Sequence, residues 1–527
     1  MKKRIILVVL VLFSCLLVHS CVPSRGEDVW EHSFEKVSNL VSLVEDHYYQ
    51  EVDKKKLANS SIKGILATLD PHSHFLDLKN LARLREEYKG KYHGLGIMIQ
   101  KQEERLVVIS PIEGTPASRK GIQAGDVISH INGESTKPIT SHQAMMKLRG
   151  PEGTKVNITI VREGLEEPRE MTIKREEIPL HSVPYSFMLK EDVGYIFIRN
   201  FAKTTTQEFE DKMSQLKEKG MEKLILDMRG NGGGTFAQSV ELADEFLPKG
   251  ALVVSIKGRN KKYDQEFKAH RNDQYENLPL IILINHGTAS APEIVSGAIK
   301  DHDRGLIVGD DSWGKGLVQT VFPVGSDAAV ALTTAKYYTP SGRSIQRDYT
   351  HIEDYFYSEK VPEEEREVSY TKSGRQVLGQ GGISPDYKVE MSYKRLAAKL
   401  LLKGVYFSYA QKFAQKQTPL AQKLAFSTEK STQENRPQDQ RIVDKNFRVG
   451  SQVLSDFKSY LKKEDISFKE EAFSQAQKQI KRELEKEIYS ALWGMEEGIK
   501  VYRKSDPVVL KALEIFPQAV SVIENQP

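Results

Sequence analysis

The sequence predicts a multidomain α/β protein with helical regions at both ends. Its 527 residues correspond to three or four domains at about 150 residues each. Between about Pro179 and Val389, short apolar strands alternate with helical stretches, which is typical of a sheet buried on both faces. Residues 28–91 and the chain beyond Glu390 instead show the three-and-four spacing of helices. The composition, 39% hydrophobic and 28% charged, excludes wholesale disorder.

The first 21 residues predict an export signal. A basic start at residues 2–4 precedes an apolar run, residues 5–18, that is too short to span a bilayer comfortably. The run stops at Val18-His19-Ser20-Cys21, which resembles a bacterial lipoprotein cleavage box with Cys21 as the lipidated residue, and plain secretory cleavage is the alternative. We expect a protein of the bacterial cell envelope, periplasmic or extracytoplasmic, lipid-anchored at Cys21 or else soluble and secreted. Both cysteines lie in this segment, so the exported body has no disulfide and no thiol nucleophile.

Four regions follow the signal. We predict a helical region at 28–91, a small β-domain at 92–164, an α/β core at 165–390, and a helical extension at 391–527 with a polar linker at 415–440. The net charge is +4, and residues 2–4 contribute three of these positive charges. Because nucleic-acid binders usually carry a basic excess, we expect no nucleic-acid partner.

The β-domain carries a candidate peptide site. Two glycines at the start of a predicted strand leave the backbone unobstructed, so that successive N–H groups can point at an anion. Downstream, residues 116–128 and Asn132-Gly133 resemble the PDZ-domain signature, in which such a loop captures a C-terminal carboxylate and the next strand pairs with the peptide. An incidental glycine turn in a small β-domain is the alternative. The predicted peptide-binding residues are Gly94, Leu95, Gly96 and Ile97.

Three segments of the α/β core, each following an apolar strand, carry the candidate catalytic residues: 227–234, 285–294 and 309–316. Ser290 lies among small residues at a predicted strand-to-helix junction, but a serine hydroxyl needs a base to remove its proton. Lys315 would be that base if burial or a nearby positive charge lowers its pKa from about 10.4. Gln319 would share a face with Lys315 if this stretch is helical, and would accept a hydrogen bond from it.

An oxyanion that forms on attack by Ser290 needs two preorganised N–H donors. The Ala291 N–H is one candidate. The glycine loop offers the other, and we assign it to Gly233. Glycines on both sides of Lys315 would let the backbone turn tightly and bring the long side chain inward.

Taken together, these motifs are similar to the carboxy-terminal processing proteases, or tail-specific proteases, of the S41 serine peptidase family. The resemblance covers roughly residues 30–390. It implies a ClpP/crotonase-like core with an inserted PDZ domain, and a Ser/Lys dyad at Ser290 and Lys315 that Gln319 assists. The chain departs from the family pattern at Pro292 and Gly232. The motifs are Leu69-Asp-Pro-His72, the PDZ signature, Leu148-Arg-Gly-Pro-Glu-Gly153, Arg229-Gly-Asn-Gly-Gly233, Thr288-Ala-Ser-Ala291, Gly314-Lys-Gly316, Tyr337-Tyr-Thr-Pro-Ser-Gly-Arg-Ser-Ile345 and Gly381-Gly-Ile-Ser-Pro385.

The resemblance implies a serine endopeptidase that captures unstructured protein C-termini at the PDZ domain and cuts them through an acyl-enzyme. Arg149 is a candidate coupler between the peptide groove and the active site, with a surface arginine as the alternative. No cofactor and no catalytic metal are expected. An adaptor protein and a second copy of the chain are possible partners, and the membrane is reached only through the N-terminal anchor.

Three other interpretations of these motifs compete with this prediction. A non-catalytic PDZ scaffold or a ligand-binding protein on the same core need keep neither Ser290 nor Lys315. A Ser-His-Asp triad would recruit His286 and Asp301. A P-loop is suggested by the glycines before Lys315, but Gly316 stands where that motif needs Ser or Thr for Mg²⁺.

Overall fold

The structure is a computed structural model that describes residues 28–271, 275–350, 355, 362–431 and 442–524. The predicted signal segment with Cys21 therefore lies outside the described residues. The chain divides into two compact units, the smaller of which contains residues 28–76 and 321–332 of the described chain. The larger unit contains all the residues discussed below as candidate catalytic and peptide-binding groups.

The elements are helical at both ends and alternate between helix and strand in the middle. The helices are α1 (Asp28–His47), α2 (Lys54–Ala67), α3 (Leu78–Lys89), α4 (Pro116–Arg119), α5 (Ser141–Leu148), α6 (Thr205–Glu218), α7 (Phe236–Asp244), α8 (Ala291–Asp301), α9 (Arg395–Leu402), α10 (Val405–Ala414), α11 (Pro419–Ser431), α12 (Ser451–Lys463), α13 (Glu470–Trp493), α14 (Met495–Lys504), α15 (Pro507–Glu514) and α16 (Phe516–Glu524). The strands are β1 (His74–Asp77), β2 (Lys91–Gly94), β3 (Ile97–Gln102), β4 (Arg105–Pro111), β5 (Val127–Ile131), β6 (Glu134–Ser135), β7 (Lys155–Val161), β8 (Arg169–Lys174), β9 (Glu176–Pro179), β10 (Tyr185–Met188), β11 (Val193–Phe197), β12 (Lys223–Asp227), β13 (Leu252–Gly258), β14 (Gln265–Lys268), β15 (Leu280–Ile284), β16 (Leu306–Gly309), β17 (Leu317–Val324), β18 (Ala328–Tyr338), β19 (Val368–Tyr370), β20 (Gln376–Leu378) and β21 (Tyr387–Lys388).

The predicted N-terminal helices are confirmed as α1, α2 and α3. Asp53 caps the start of helix α2, because its carboxylate accepts the Lys56 N–H at 3.1 Å. Asp77 caps α3 in the same way. The apolar stripe of α1 is exposed, with Phe34 and Leu40 each 62% exposed. Among the described residues, none of the helices combines the length and the apolar character that a membrane span requires.

The β-domain is a sheet in the order β3-β4-β5-β7-β8, with β6 paired to β5. Its alternating apolar residues, such as Val156, Ile158 and Ile160, are buried and form one core with α5. Strand β8 pairs with β7, so the sheet extends beyond residue 164 to Lys174. Strands β2 and β9 pair with each other where the chain enters and leaves this domain.

The core sheet has the order β10-β11-β12-β15-β16-β21, and β11, β12, β15 and β16 run parallel. Alternate residues of β12 and β15 face opposite sides, which explains their continuous apolar sequences. Leu226 and Ile282 pack on one side with α6, α7 and α8. Ile225 and Ile281 pack on the other side with α15 and α16, so the end of the extension covers this face of the sheet.

The rest of the extension has a separate core formed by α9 to α13. The prediction of a polar linker at 415–440 is wrong in part, because residues 419–431 form helix α11. The helix packs because Ala421 and Ala425, four residues apart, both face this core and are buried. Residues 432–441 of that stretch lie outside the described residues.

Candidate active site

Ser290 lies between the end of β15 and the first turn of α8, as the sequence predicts. Its backbone has φ +67° and ψ −114°, a region that residues with a side chain rarely adopt. This sharp turn carries the half-buried serine out of the line of the strand. Pro292 fits the first turn of α8, where a missing N–H costs nothing.

The glycine loop after β12 packs directly against Ser290. A Cβ atom on Gly233, which has φ +105°, would lie 2.9 Å from the Ser290 Cβ, so only glycine fits there. A Cβ on Gly234 would lie 1.9 Å from the Phe201 carbonyl oxygen. Gly232 has open space around it, so its departure from the family pattern creates no packing defect.

The two predicted oxyanion donors differ in their surroundings. The Gly233 N–H donates to the Asn231 Oδ1 at 2.9 Å, so in this arrangement it binds a side chain of its own loop. Gly233 stays a prediction that requires Asn231 to release the N–H. For the Ala291 N–H, we find no acceptor among the residues that the structure describes. Ala291 begins α8, where the first N–H groups lack partners within the helix.

Lys315 lies in the loop between β16 and β17, close to the backbone of Ser290. The hydroxyl of Tyr337 donates to the Lys315 carbonyl and, at 3.3 Å, to the Ser290 carbonyl. The Lys315 N–H donates to the Glu293 Oε2 at 2.9 Å, and the Ser290 N–H donates to the same oxygen at 2.7 Å. One carboxylate and one phenol therefore hold the two candidate catalytic residues by their backbones.

Glu293 is fully buried and was not assigned a role from the sequence. Its other oxygen, Oε1, accepts the Ser312 hydroxyl at 2.5 Å and the Gly314 N–H at 2.7 Å. Burial raises the pKa of Glu293 to about 7, against the lowering effect of these donors. A signal was present in the sequence, because a Glu three residues after a serine at a helix start is typical of a capping box.

Gln319 lies in strand β17, so the helical premise of its prediction was wrong. Side chains alternate in a strand, and Gln319 faces the same side as Leu317. Its Nε2 donates to the Thr333 Oγ1 at 3.4 Å. Its role toward Lys315 stays a prediction.

The geometry disfavours the triad and the P-loop. Asp301 ends α8 while Ser290 caps its start, and the 11 residues of the helix separate the two ends by about 16 Å. Asp301 also pairs with Arg343 at 2.7 Å, and both side chains are fully buried. A P-loop needs a helix after the lysine, whereas strand β17 follows Lys315.

The predicted peptide site is a groove in the β-domain. Strand β3 lies at the edge of its sheet beside α5, and the two enclose a space of about 360 Å³. The loop at its mouth is fixed, because the Leu95 and Gly96 carbonyls accept the Ala117 and Ile112 N–H groups at 3.0 and 2.8 Å. Gly94 comes just before this loop, in β2. The lining residues are Tyr92, Leu95, Gly96, Ile97, Met98, Ile99, Ser141, His142, Met145, Leu148 and Arg149.

Arg149 is not a free surface arginine. Its guanidinium lies 4.1 Å from the centre of the Tyr92 ring and 3.2 Å from the Glu86 carboxylate of α3. Two residues after Glu86 in α3, the carbonyl of Tyr88 accepts the Lys203 N–H at 2.9 Å. The Phe201 N–H then donates to the Gly233 carbonyl at 2.9 Å. Packed groups therefore connect the peptide groove to the glycine loop beside Ser290.

A strained serine beside a glycine loop at the ends of parallel strands is the arrangement expected of a serine hydrolase, here on a chain with a candidate peptide groove. A family model for peptidase family S41 matches residues 192–354, one for the PDZ domain matches 85–161, and one for the N-terminal domain of the activating protease CtpB matches 19–80. The chain belongs to the S41 serine peptidases. The predicted fold class, an α/β protease core with a PDZ domain and helical ends, is confirmed.

Two curated relatives agree with this assignment. A carboxy-terminal-processing protease of Bartonella bacilliformis is 36% identical over 337 residues, which cover 63% of this chain and 77% of the relative. Carboxy-terminal processing protease CtpA of Bacillus subtilis is 31% identical over 329 residues, 62% of this chain and 70% of the relative. The solved photosystem II D1 C-terminal processing protease is 27% identical, covers 68% of this chain and 88% of its own, and superposes with a TM-score of 0.37.

We expect Glu293→Gln to abolish one component of the pH dependence of stability. The folded-state pKa of Glu293, about 7, exceeds the ordinary value of 4.5. The stabilisation that comes from protonating Glu293 is therefore complete below about pH 4.5 and is lost as the pH rises through 7. The shift corresponds to about 3 kcal/mol. The free energy of unfolding, measured from pH 4 to 8 in urea, should fall less with pH in the variant than in the wild type. Activity should fall at least ~10-fold because an amide cannot accept from all four donors.

Glu218→Gln, at the exposed end of α6, is the control and should follow the wild type. Glu245, whose pKa burial also raises to about 7, contributes equally to all three proteins. Identical pH slopes in the wild type and Glu293→Gln would show that Glu293 does not titrate in this range.

Proposed function

We propose that this peptidase recognises protein C-termini at its PDZ groove and cleaves them with a Ser290/Lys315 dyad. The Ser290 Oγ attacks the scissile carbonyl carbon while its proton passes to the neutral amine of Lys315. The C–N bond then breaks, the leaving amine takes that proton, and water hydrolyses the ester on Ser290. The observation that carries the proposal is the carboxylate of Glu293, which binds the backbone N–H groups of both residues.

The groove supports the recognition step. An edge strand offers unpaired N–H and C=O groups to an extended peptide, and the adjoining loop offers N–H groups to a carboxylate. The apolar side chains Leu95, Met145 and Leu148 line the same groove. They suit substrates that end in an apolar residue.

Ser290→Ala and Lys315→Ala should each lower cleavage of an unstructured peptide by roughly 10³-fold or more, because each removes an essential group of one unit. Wild-type enzyme should cut a peptide with a free C-terminus at least ~10-fold faster than its C-terminal amide, because the amide lacks the charge that the groove binds. Both are measured by mass spectrometry of the products over time.

Ser214→Ala and Lys336→Ala, at exposed positions of α6 and β18, are the controls and should cleave like the wild type. Full activity in Ser290→Ala or Lys315→Ala would refute the dyad and favour the non-catalytic scaffold for this site. Equal cleavage of the two peptides would refute carboxylate recognition while leaving the dyad intact.

We also propose that Arg149 reports peptide occupancy to the active site through Glu86. Glu86→Gln changes α3 but not the groove lining, so it should leave peptide affinity within ~2-fold and lower kcat for free-ended substrates by ~5-fold or more. Peptide affinity is measured by fluorescence anisotropy. Glu87→Gln is the matched control, since its exposed carboxylate pairs with Arg83 on the same helix. Wild-type kcat in Glu86→Gln would rule out this route.

The proposed location is the bacterial cell envelope, with an anchor at Cys21. The basic start, the short apolar run and the cysteine after it are the features that support this proposal. Wild-type protein from cells should partition into the detergent phase, and Cys21→Ala into the aqueous phase, since only the first carries lipid. Mature wild-type protein in the aqueous phase would favour plain secretion.

A further inference from the structure

A buried ionic network joins the glycine loop of the core to the C-terminal extension. Asp227 ends β12 and Arg229 lies in the loop that follows, while Arg503 and Asp506 come from the end of α14 and the start of α15. Asp227 and Asp506 are fully buried, and Arg229 is 8% exposed. Residue 506 lies 152 positions beyond residue 354, where the family-model matches end.

Arg229 is held from both sides. Its Nη2 lies 2.6 Å from the Asp227 carboxylate and 2.9 Å from the Asp506 carboxylate. Arg503 lies 3.1 Å from Asp506 and 3.7 Å from Asp227, and the Tyr195 hydroxyl donates to Asp227 at 2.7 Å. Two guanidinium groups and two carboxylates therefore balance each other away from water.

Both carboxylates stay ionised at neutral pH. Burial raises the pKa of Asp227, but the Arg229 and Arg503 cations outweigh burial and hold the pKa at about 2. The same cations keep the pKa of Asp506 below its usual range despite burial. Loss of either carboxylate would leave an uncompensated positive charge in the interior.

The loop that follows Arg229 contacts the nucleophile within a few residues. The Gly230 N–H donates to the Asn285 Oδ1 at 2.8 Å, and the Asn231 carbonyl accepts the Ala289 N–H at 2.9 Å. Gly233 then abuts Ser290. Arg229, two residues after the end of β12, is therefore linked through this short loop to the place where Gly233 meets Ser290.

Asp506 is itself fixed by two constraints. Its Oδ1 accepts the Val508 N–H at 2.9 Å and caps α15. Val509 and Ala512 of that helix are fully buried against the sheet that carries Asp227. The carboxylate is therefore held rigidly enough to define the position of Arg229.

We propose that Asp506 of the C-terminal extension is a positioning residue for the oxyanion loop beside Ser290, acting through Arg229. The extension is then part of the catalytic apparatus rather than an appended domain. This inference rests on the proposed role of Ser290.

Asp506→Asn removes the charge and one acceptor oxygen but keeps the helix cap, because asparagine caps a helix as well as aspartate does and has nearly the same shape. We expect kcat for a free-ended peptide to fall roughly 10–100-fold, with KM changed less than ~3-fold, at a temperature where circular dichroism shows folded protein. Amide hydrogen exchange should show lost protection in residues 228–236 and unchanged protection in β15. Glu514→Gln removes an exposed carboxylate from the same helix and should match the wild type.

Wild-type kcat in folded Asp506→Asn, or a loss confined to KM, would overturn the proposal. Loss of protection throughout α15, α16 and the sheet would show a structural anchor only. If Asp506→Asn does not fold, Asp506→Glu keeps the charge one methylene farther out, and wild-type kcat there overturns the proposal too. Full activity in Ser290→Ala would instead reject the proposed function, whatever Asp506→Asn does.

Discussion

A carboxylate without access to water must be satisfied by its neighbours, and the neighbours of Glu293 are the backbones of both candidate catalytic residues. The same side chain binds Ser312 and Gly314, so it fixes the whole turn that presents Lys315. Any displacement of Ser290 relative to this turn would break hydrogen bonds to a buried carboxyl group. The structure therefore fixes the distance between the backbones of the two candidate catalytic residues, because a change in it would cost hydrogen bonds to Glu293.

The glycine loop is constrained by close packing, and one of its N–H groups is hydrogen-bonded within the loop itself. Gly233 and Gly234 approach Ser290 and Phe201 so closely that no side chain fits. Phe201 also belongs to the series of contacts that connects the peptide groove to this loop through α3. Arg229 pairs with Asp506 of the C-terminal extension. The loop thus receives contacts from two other regions of the chain. In the arrangement described, the Gly233 N–H binds Asn231, so this N–H becomes available to another acceptor only after a local change at the point where these contacts meet.

The sequence predicts the elements well and the long-range contacts poorly. Apolar runs such as Leu280–Ile284 and the three-and-four apolar spacing of the first helix are local signals, and the corresponding strand and helix are confirmed. Gln319 was misplaced on a helix because a four-residue spacing fits a helix turn and also one side of a strand. The pairing of Asp506 with Arg229, 277 residues apart, leaves no local signal at all. Charge in a helical tail looks like a solvated surface until packing shows which side chains are buried.

The covering of the core sheet by α15 and α16 has a consequence for truncation of the chain. Residues of β11, β12 and β15 have their apolar partners at residues 508–519. A chain cut before Asp506 would leave these side chains exposed to water and would remove one of the two counter-ions of Arg229. Such a cut would therefore destabilise the sheet that carries Asp227, although every residue of the sheet itself would be intact.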